Sequence, residues 1–179
     1  MLGKEDIVDT NPEIINLVIK ANKNFPNNKL PLIIYRSACQ LGKQKNKAAK
    51  QLQVVFRKHH WTNTWSNGIY TFHHYHSNTH EVLGICSGKV RVIFGGPSGK
   101  TVILHKGDIV IIPAGVGHKC SKSSDDFLCV GAYPEGKQYD INLGTRAELL
   151  KAKPRIAKIP MPTFDPVYGK EGFLKTFWK

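Results

Sequence analysis

Two short segments rich in metal-binding side chains constrain the fold of this chain more than any other feature. The first has the spacing Gly68-(5)-His74-Tyr75-His76-(4)-Glu81-(6)-Gly88. The second follows soon after, with the spacing Gly107-(5)-Pro113-Ala114-Gly115-(2)-His118. Either segment alone is a weak signal, because short motif matches are only hypotheses. Two such spacings in this order and at this separation rarely arise by chance, so together they predict one shared metal site.

The spacing of the first two histidines suits a β-strand. Side chains two residues apart on a strand face the same way, so His74 and His76 should point together. His73 and Tyr75 should then point to the opposite face. Two imidazoles on one side of a strand provide the chelating pair that a transition metal needs.

Glu81 and His118 are expected to reach the same place from neighbouring strands, each after a turn. His80 complicates this interpretation, because a one-residue register slip would exchange His80 and Glu81 at the site. The four-residue gap favours Glu81 and leaves His80 on the other face or beside a ligand that it orients. The alternative is that these histidines are ordinary surface or cavity residues without a metal.

Together the two segments resemble the signature motifs of the cupin superfamily. The resemblance implies an all-β core, a double-stranded β-helix or jelly-roll barrel, often in a homodimer. It also implies one divalent transition metal per chain (Fe, Mn, Zn, Ni or Cu), with the ligands His74, His76, Glu81 and His118. The second motif commonly ends in Asn four residues after its histidine, where this chain has Lys122. This departure barely affects metal binding, but it puts a contact at the barrel rim in doubt.

Further segments look like those of the YjlB-type cupins, and this similarity extends over nearly the whole chain. They are Trp65-Ser66-Asn67-Gly68, His73-His74-Tyr75-His76-Ser77, His80-Glu81-Val82-Leu83-Gly84, Phe94-Gly95-Gly96-Pro97, Asp125-Asp126-Phe127, Gly131-Ala132-Tyr133-Pro134 and Asp165-Pro166-Val167-Tyr168-Gly169. The similarity predicts the fold and leaves the function open, because cupins carry out many unrelated reactions.

The length of 179 residues predicts one structural domain. We expect three parts: an N-terminal extension of helices and an edge strand packed on the barrel (1–60), the cupin barrel (61–140) and an extended C-terminal tail (141–179). In the extension, the Asn-Pro-Glu start and apolar spacing predict a helix over residues 12–22. A second helix is expected over residues 48–59.

Between these helices, residues 30–35 have the composition of a β-strand, and Pro31 suits an edge strand. In the tail, a short helix is expected near residues 147–151. The prolines that follow favour an extended segment laid over the domain.

The chain is strongly basic, with 26 Lys and Arg against 13 Asp and Glu and a formal net charge of +13. This charge raises nucleic acid or an acidic small molecule as a partner. The basic runs, at residues 43–58 and 151–158, flank the predicted barrel and do not alternate with stacking aromatic residues. A solvated basic face is therefore favoured over nucleic-acid binding.

The four cysteines, Cys39, Cys86, Cys120 and Cys129, show no Cys-x-x-Cys spacing. We therefore expect buried reduced thiols, with Cys120 on the same strand face as His118. No apolar run is long enough to cross a bilayer, and the acidic pair Glu5-Asp6 argues against a secretory peptide. The expected location is cytoplasmic.

These observations favour a metal-dependent enzyme that acts on a small anionic molecule. Oxidoreductase chemistry of the dioxygenase kind is placed ahead of isomerase or decarboxylase chemistry. Because Glu81 would be a ligand, His80 and Tyr75 are the candidate catalytic groups. The alternatives are a non-catalytic small-molecule-binding or sensor cupin and, third, salt-sensitive nucleic-acid association through the basic flanks.

Overall fold

The computed structural model describes residues 7–179, and the Glu5-Asp6 pair lies outside this range. Its elements in chain order are β1 (Glu13–Ile19), β2 (Asn28–Arg36), α1 (Lys45–Lys58), β3 (Trp61–Asn67), β4 (Glu81–Ser87), β5 (Lys89–Phe94), β6 (Lys100–His105), β7 (Ile109–Ile112), β8 (His118–Ser123), β9 (Leu128–Pro134), α2 (Arg146–Ile156) and α3 (Leu174–Phe177). The strands form two antiparallel sheets, in the orders β1-β2-β7-β4-β9-β3 and β6-β5-β8. This arrangement confirms the predicted all-β core.

Strand alternation divides the apolar residues between two cores. In β2, Leu32 and Ile34 face the core between the two sheets, together with residues of β5 and β6. Ile33 and Tyr35 face the other side of the six-stranded sheet. This sheet is therefore covered on both faces, which explains why all four residues of β7 are buried.

Helix α1 covers the outer face of the six-stranded sheet and confirms the predicted second helix. Its buried residues include Leu52 and Phe56. A Cβ atom on Gly84 of β4 would lie 2.7 Å from Leu52 and 3.0 Å from Phe56. The missing side chain at Gly84 therefore lets the helix approach the strand that begins with Glu81.

The predicted helix over residues 12–22 is wrong, because this segment forms strand β1. It pairs antiparallel with β2, from Glu13 opposite Arg36 to Ile19 opposite Asn28. A short helix is marginal by itself, whereas the β-branched residues of this segment gain hydrogen bonds and packing at a sheet edge. Over its described residues, 7–60, the N-terminal extension thus contains two strands and one helix.

Strand β2 confirms the predicted strand over residues 30–35, but it is not an edge strand, because β1 lies outside it. The pairing of β1 with β2 is irregular between Leu17 and Ile19, in the part of the ladder that includes Pro31. A proline lacks the N–H that a regular ladder requires, so the irregularity accommodates it.

The C-terminal segment is more helical than expected. Helix α2 extends beyond the predicted short helix and starts with a capping box between Thr145 and Glu148. Further on, the buried carboxylate of Asp165 accepts hydrogen bonds from the Tyr35 hydroxyl and from three backbone N–H groups. These bonds fix the tail on the outer face of the six-stranded sheet, where Leu174 and Trp178 join the core. None of the helices in residues 7–179 has the length and apolar character needed to span a membrane.

Candidate metal centre

Three histidines converge at one end of the barrel. The ligand atoms of His74, His76 and His118 lie within 4.8 Å of one another, and all three side chains are buried. His74 and His118 also pair through their backbones, with N···O distances of 3.2 and 2.9 Å. This pairing extends the three-stranded sheet by a short segment, so the first motif is fixed beside the start of β8. The structure thus brings together the three histidines that the spacing predicted.

Each of these rings is oriented by a backbone carbonyl group. The Nδ1 atoms of His74 and His118 lie 3.1 Å from the carbonyl oxygens of Phe72 and Val116. The Nδ1 atom of His76 bonds to the carbonyl oxygen of Asp140. A carbonyl oxygen only accepts, so Nδ1 carries the hydrogen and the Nε2 lone pair of each neutral ring remains for a metal.

The carboxylate of Glu81 lies beside these histidines. Its Oε2 lies 3.3 Å from Nε2 of His76 and 3.2 Å from Nε2 of His118. The same oxygen is buried and has no hydrogen-bond partner among residues 7–179. A carboxylate oxygen facing two nitrogen lone pairs is stable only with a cation between them, either a metal ion or protons. This donor set, three imidazoles and one carboxylate, fits a divalent transition metal.

The charge states of the metal-free protein agree with this geometry. Burial alone would lower the pKa of His76, but the neighbouring Glu81 carboxylate raises it above its ordinary value. Burial would raise the pKa of Glu81, yet the adjacent His76 and His118 hold it below its ordinary value. Burial, together with the neighbouring His118, lowers the pKa of His74 to about 3. A proton on His76 therefore takes the cation's place beside Glu81 when no metal is bound, and a metal would displace it.

A cavity of about 190 Å³ opens onto these four side chains. Its aromatic wall consists of Trp65, Tyr70, Tyr133 and Tyr139. The Tyr133 and Tyr139 rings are stacked, with centroids 4.9 Å apart. Tyr133 accepts a hydrogen bond of 2.8 Å from the Trp65 indole and donates one of 2.7 Å to Oε1 of Glu81. The cavity therefore joins a metal-binding floor to an aromatic wall.

Comparison with known proteins identifies the family. The Cupin_2 cupin domain matches residues 65–130. The uncharacterized protein YjlB of Bacillus subtilis (strain 168) is 40% identical over 148 residues, which cover 83% of this chain and 86% of that protein. The chain belongs to the cupin superfamily, in the family of YjlB.

Solved cupin structures are similar at a lower level. The WlaRB TDP-quinovose 3,4-ketoisomerase from Campylobacter jejuni is 16% identical, with a TM-score of 0.43, over 78% of this chain and 98% of that chain. An acireductone dioxygenase from Bacillus anthracis, with a cadmium ion in its active centre, is 16% identical with a TM-score of 0.38. That match covers 52% of this chain and 62% of the dioxygenase. Neither likeness is high enough to assign an activity to this cupin.

The two candidate catalytic groups lie away from the cavity of this cupin. His80 is buried against Trp178, and its Nδ1 accepts a hydrogen bond of 3.0 Å from the Ala114 N–H. Burial lowers the pKa of His80 to about 4, so its ring is neutral. Tyr75 packs edge-on against Phe25 and does not line the cavity. The structure therefore places Glu81, and not His80, beside the three histidines.

Other residues singled out in the sequence also lie elsewhere. Cys120 belongs to the core between the sheets and does not line the cavity, although all four cysteines are buried as expected. Lys122 is exposed on β8 opposite Arg91, so the departure from the second motif lies outside the cavity wall.

Asp140 belongs to the candidate site but was not predicted from the sequence. While its carbonyl oxygen orients His76, its carboxylate accepts hydrogen bonds from the N–H and hydroxyl groups of Ser77 and from Arg155 of α2. Tyr139, beside it, was also missed. Both follow the last strand in a segment without regular periodicity, so no local signal distinguished them. Trp65 and Tyr133 lie within the segments that resemble the YjlB-type cupins. That resemblance was the one sequence signal that could have indicated their place in the site.

Proposed function

We propose that this cupin is a metal-dependent enzyme with one divalent transition metal held by His74, His76, Glu81 and His118. The main support is the convergence of three Nε2 atoms and one unpartnered carboxylate oxygen at the floor of a cavity. This buried oxygen faces two imidazole nitrogens, so a cation, either a metal ion or a proton on His76, has to lie between them. The substrate is a small molecule that occupies the adjoining cavity.

The charge of the site favours a substrate that reaches the metal as an anion. A divalent ion with one carboxylate and three neutral imidazoles keeps one net positive charge, in a buried environment where electrostatic attraction is strong. The bound metal would supply Lewis acidity and, for Fe, Mn or Cu, redox capacity. Because the donor set contains no thiolate and resembles open-sided oxygenase sites, we place dioxygenase-like oxidoreductase chemistry ahead of isomerase or decarboxylase chemistry.

The tyrosines of the cavity wall are the protein groups available for proton transfer. Burial and the neighbouring Tyr70 raise the pKa of Tyr139, so its hydroxyl stays protonated at neutral pH and can donate. The Tyr133 hydroxyl already donates a hydrogen bond to Glu81. We therefore assign the role of hydrogen-bond donor to the substrate to Tyr139, in place of His80 and Tyr75.

One observation favours a non-catalytic binding cupin as the second candidate. Within residues 7–179, the ionisable side chains that line the cavity are the four proposed ligands and three tyrosines. A protein without an additional base near neutral pH could hold a ligand without converting it. Recovery of a tightly bound ligand unchanged after incubation with metal and oxygen would favour this candidate. The homodimer and the cytoplasmic location remain predictions.

Elemental analysis of untagged protein, purified without chelators, tests the metal site. We expect near-stoichiometric Fe, Mn, Zn, Ni or Cu in the wild type and a loss of metal in His76→Ala. His73→Ala is the matched control, because His73 is a neighbouring histidine outside the triad and the cavity lining. Absence of metal from the wild type, even after reconstitution, would overturn the proposal. Oxygen uptake with candidate substrates then separates the oxidoreductase from the binding protein.

A further inference from the structure

A second groove, with a volume of about 750 Å³, lies between the first two strands and helix α2. It is formed by the end of β1, the start of β2, the second half of α2 and the segment that follows this helix. None of its lining residues also lines the cavity beside the proposed metal. The groove is therefore a separate candidate site, of the size that small organic ligands occupy, about 300–1,000 Å³.

An irregularity in the β1–β2 pairing contributes to the shape of this groove. The register shifts between Leu17 and Ile19, so Val18 has no partner residue in β2. On the other strand, Lys29 and Leu30 have no partner in β1. A bulge of this kind bends a strand and redirects its side chains. The three unpaired residues, which a regular ladder would hold in register, all line the groove.

The floor of the groove is aliphatic. Ile19, Leu30 and Ile156 line it, together with Val18 and Met161, which are 51% and 44% exposed. No Phe, Tyr or Trp among residues 7–179 lines it, so a nucleobase or other aromatic ring would find no stacking partner there. An aliphatic chain gains free energy from burial on such a floor without needing a stacking partner.

The apolar residues lie within a concave surface. Ile19 is only 5% exposed, and Ile156 is half-buried. The flat surface of a bilayer would not reach these side chains, whereas a single narrow chain can enter the groove. The shape therefore favours one free molecule over a membrane surface.

The polar part of the lining is basic. Lys20, Lys29 and Lys153 reach the groove from three different segments, and all three are exposed. None of them forms a salt bridge within residues 7–179. Lys179 also lines the groove, and no Asp or Glu among the described residues does so. This excess of positive charge favours a ligand with an anionic group.

His80 adds a hydrogen-bond donor without a partner. Its Nδ1 accepts the N–H of Ala114, so the neutral ring carries its hydrogen on Nε2. This Nε2 is buried and has no hydrogen-bond partner among residues 7–179, and the His80 side chain belongs to the lining of the groove. A ligand that brings an oxygen acceptor would satisfy this donor.

We propose that this groove binds one fatty acid anion. Its aliphatic chain lies on the floor between β1, β2 and α2, and its carboxylate lies among the lysines. The proposal does not depend on the proposed function, because the groove and the metal cavity share no lining residue.

Calorimetric titration with monomeric hexanoate, octanoate and decanoate tests the proposal. We expect affinity to rise with length, by up to about fourfold for each methylene that is fully buried. Decyltrimethylammonium has the same chain with the opposite charge, and it should bind at least about tenfold more weakly than decanoate. Equal binding of hexanoate and decanoate, or of the cation and decanoate, would overturn the proposal.

Two further probes separate other classes of ligand. Tighter binding of adenosine monophosphate than of decanoate would assign the groove to a nucleotide and overturn the proposal. Binding to phosphatidylglycerol vesicles without binding of monomeric decanoate would identify a membrane surface, with the same consequence.

A control is needed because a carboxylate can also bind a metal ion. We expect the same affinity for decanoate in the wild type, in chelator-treated wild type and in His76→Ala. Loss of binding in the chelator-treated protein or in the variant would place decanoate at the metal and overturn the proposal. Absence of metal from the wild type would overturn the proposed function and leave the fatty acid site intact.

Charge variants connect the binding to the groove. The double variant Lys29→Gln/Lys153→Gln should bind decanoate at least about tenfold more weakly at low salt. The matched control is Lys50→Gln/Lys58→Gln, because both lysines are exposed on α1 and do not line the groove. Equal affinities of the two double variants would overturn the assignment to this groove.

A substitution in the floor provides an independent test. Val18→Gln should weaken decanoate binding, and the fold should be retained because Val18 is already 51% exposed. Val54→Gln is the matched control, since Val54 is 63% exposed and lies on α1, outside the groove. Unchanged affinity of Val18→Gln would count against the aliphatic floor.

Discussion

The hydroxyl group of Tyr133 donates a hydrogen bond of 2.7 Å to Oε1 of Glu81. The other carboxylate oxygen, Oε2, lies next to the Nε2 atoms of His76 and His118. Tyr133 thus fixes the rotation of the carboxylate and leaves Oε2 facing the two histidines, where the proposed metal would bind. Residues that hold a ligand in this way contribute to metal affinity without contacting the metal.

Replacing Tyr133 by Phe should therefore weaken metal binding while the fold is retained. Loss of a hydrogen bond to a metal ligand typically lowers affinity by about 10- to 100-fold. A competition titration against a metal-binding dye measures the change. Tyr139→Phe is the control, because Tyr139 stacks on Tyr133 and has no side-chain hydrogen bond to Glu81. Equal affinities of the wild type and Tyr133→Phe would contradict the positioning role.

Gly131 leaves room for the Trp65 ring, which belongs to the same hydrogen-bonded arrangement. A Cβ atom at Gly131 would lie 2.2 Å from the Trp65 ring, the ring that donates to Tyr133. Gly131→Ala should displace Trp65, destabilise the protein by about 1–3 kcal/mol and lower metal affinity. Gly68→Ala is the control, since its Cβ would meet nothing within 4 Å. Chemical denaturation provides the free energies, and equal stability of the two variants would refute the packing argument.

The convergence of the three histidines was predictable from the sequence because it depends on local geometry. His74 and His76 lie two residues apart in an extended segment, so they face the same way whatever the rest of the fold does. The two motif spacings also predicted that Glu81 and His118 would approach each other, and the structure places them side by side. The barrel strands were predicted in the same way, from the alternation of apolar and polar residues and from the turn residues between the strands.

Other features depend on contacts between distant segments, which local patterns do not contain. The segment at residues 13–19 has apolar spacing compatible with a helix, and only its pairing with β2 makes it a strand. Tyr139 and Asp140 lie in an irregular segment, and they reach the site because Asp140 bonds to His76 and Ser77. His80 is excluded from the site by its bond to Ala114, far away in the sequence.

Asp165 fixes the C-terminal tail, so its replacement should destabilise the whole domain. Asp165→Ala leaves the Tyr35 hydroxyl and three backbone N–H groups without their acceptor. We expect a loss of about 3 kcal/mol or more in the free energy of unfolding, from buried donors left unpaired. Tyr35→Phe removes one donor and should cost about 1 kcal/mol. Urea denaturation of both variants measures their free energies of unfolding. Similar losses in the two variants would show that the carboxylate is not the centre of the network.

The Asp140 carboxylate should make the stability of the metal-free protein depend on pH. Burial would raise its pKa, but hydrogen bonds from Ser77 outweigh this effect and lower it. A carboxyl group with a lowered pKa stabilises the fold above its unfolded pKa of about 3.9. This contribution disappears as the pH falls through the lower folded value.

Asp140→Asn should therefore destabilise the protein by about 1 kcal/mol at pH ~7, a modest value because the carboxylate is partly exposed. The difference from the wild type should shrink as the pH approaches ~3. Asp125→Asn is the matched control, because Asp125 is exposed and makes none of these bonds. Urea denaturation at both pH values provides the comparison. A difference that stays constant with pH would mean that Asp140 acts through its shape and not through its charge.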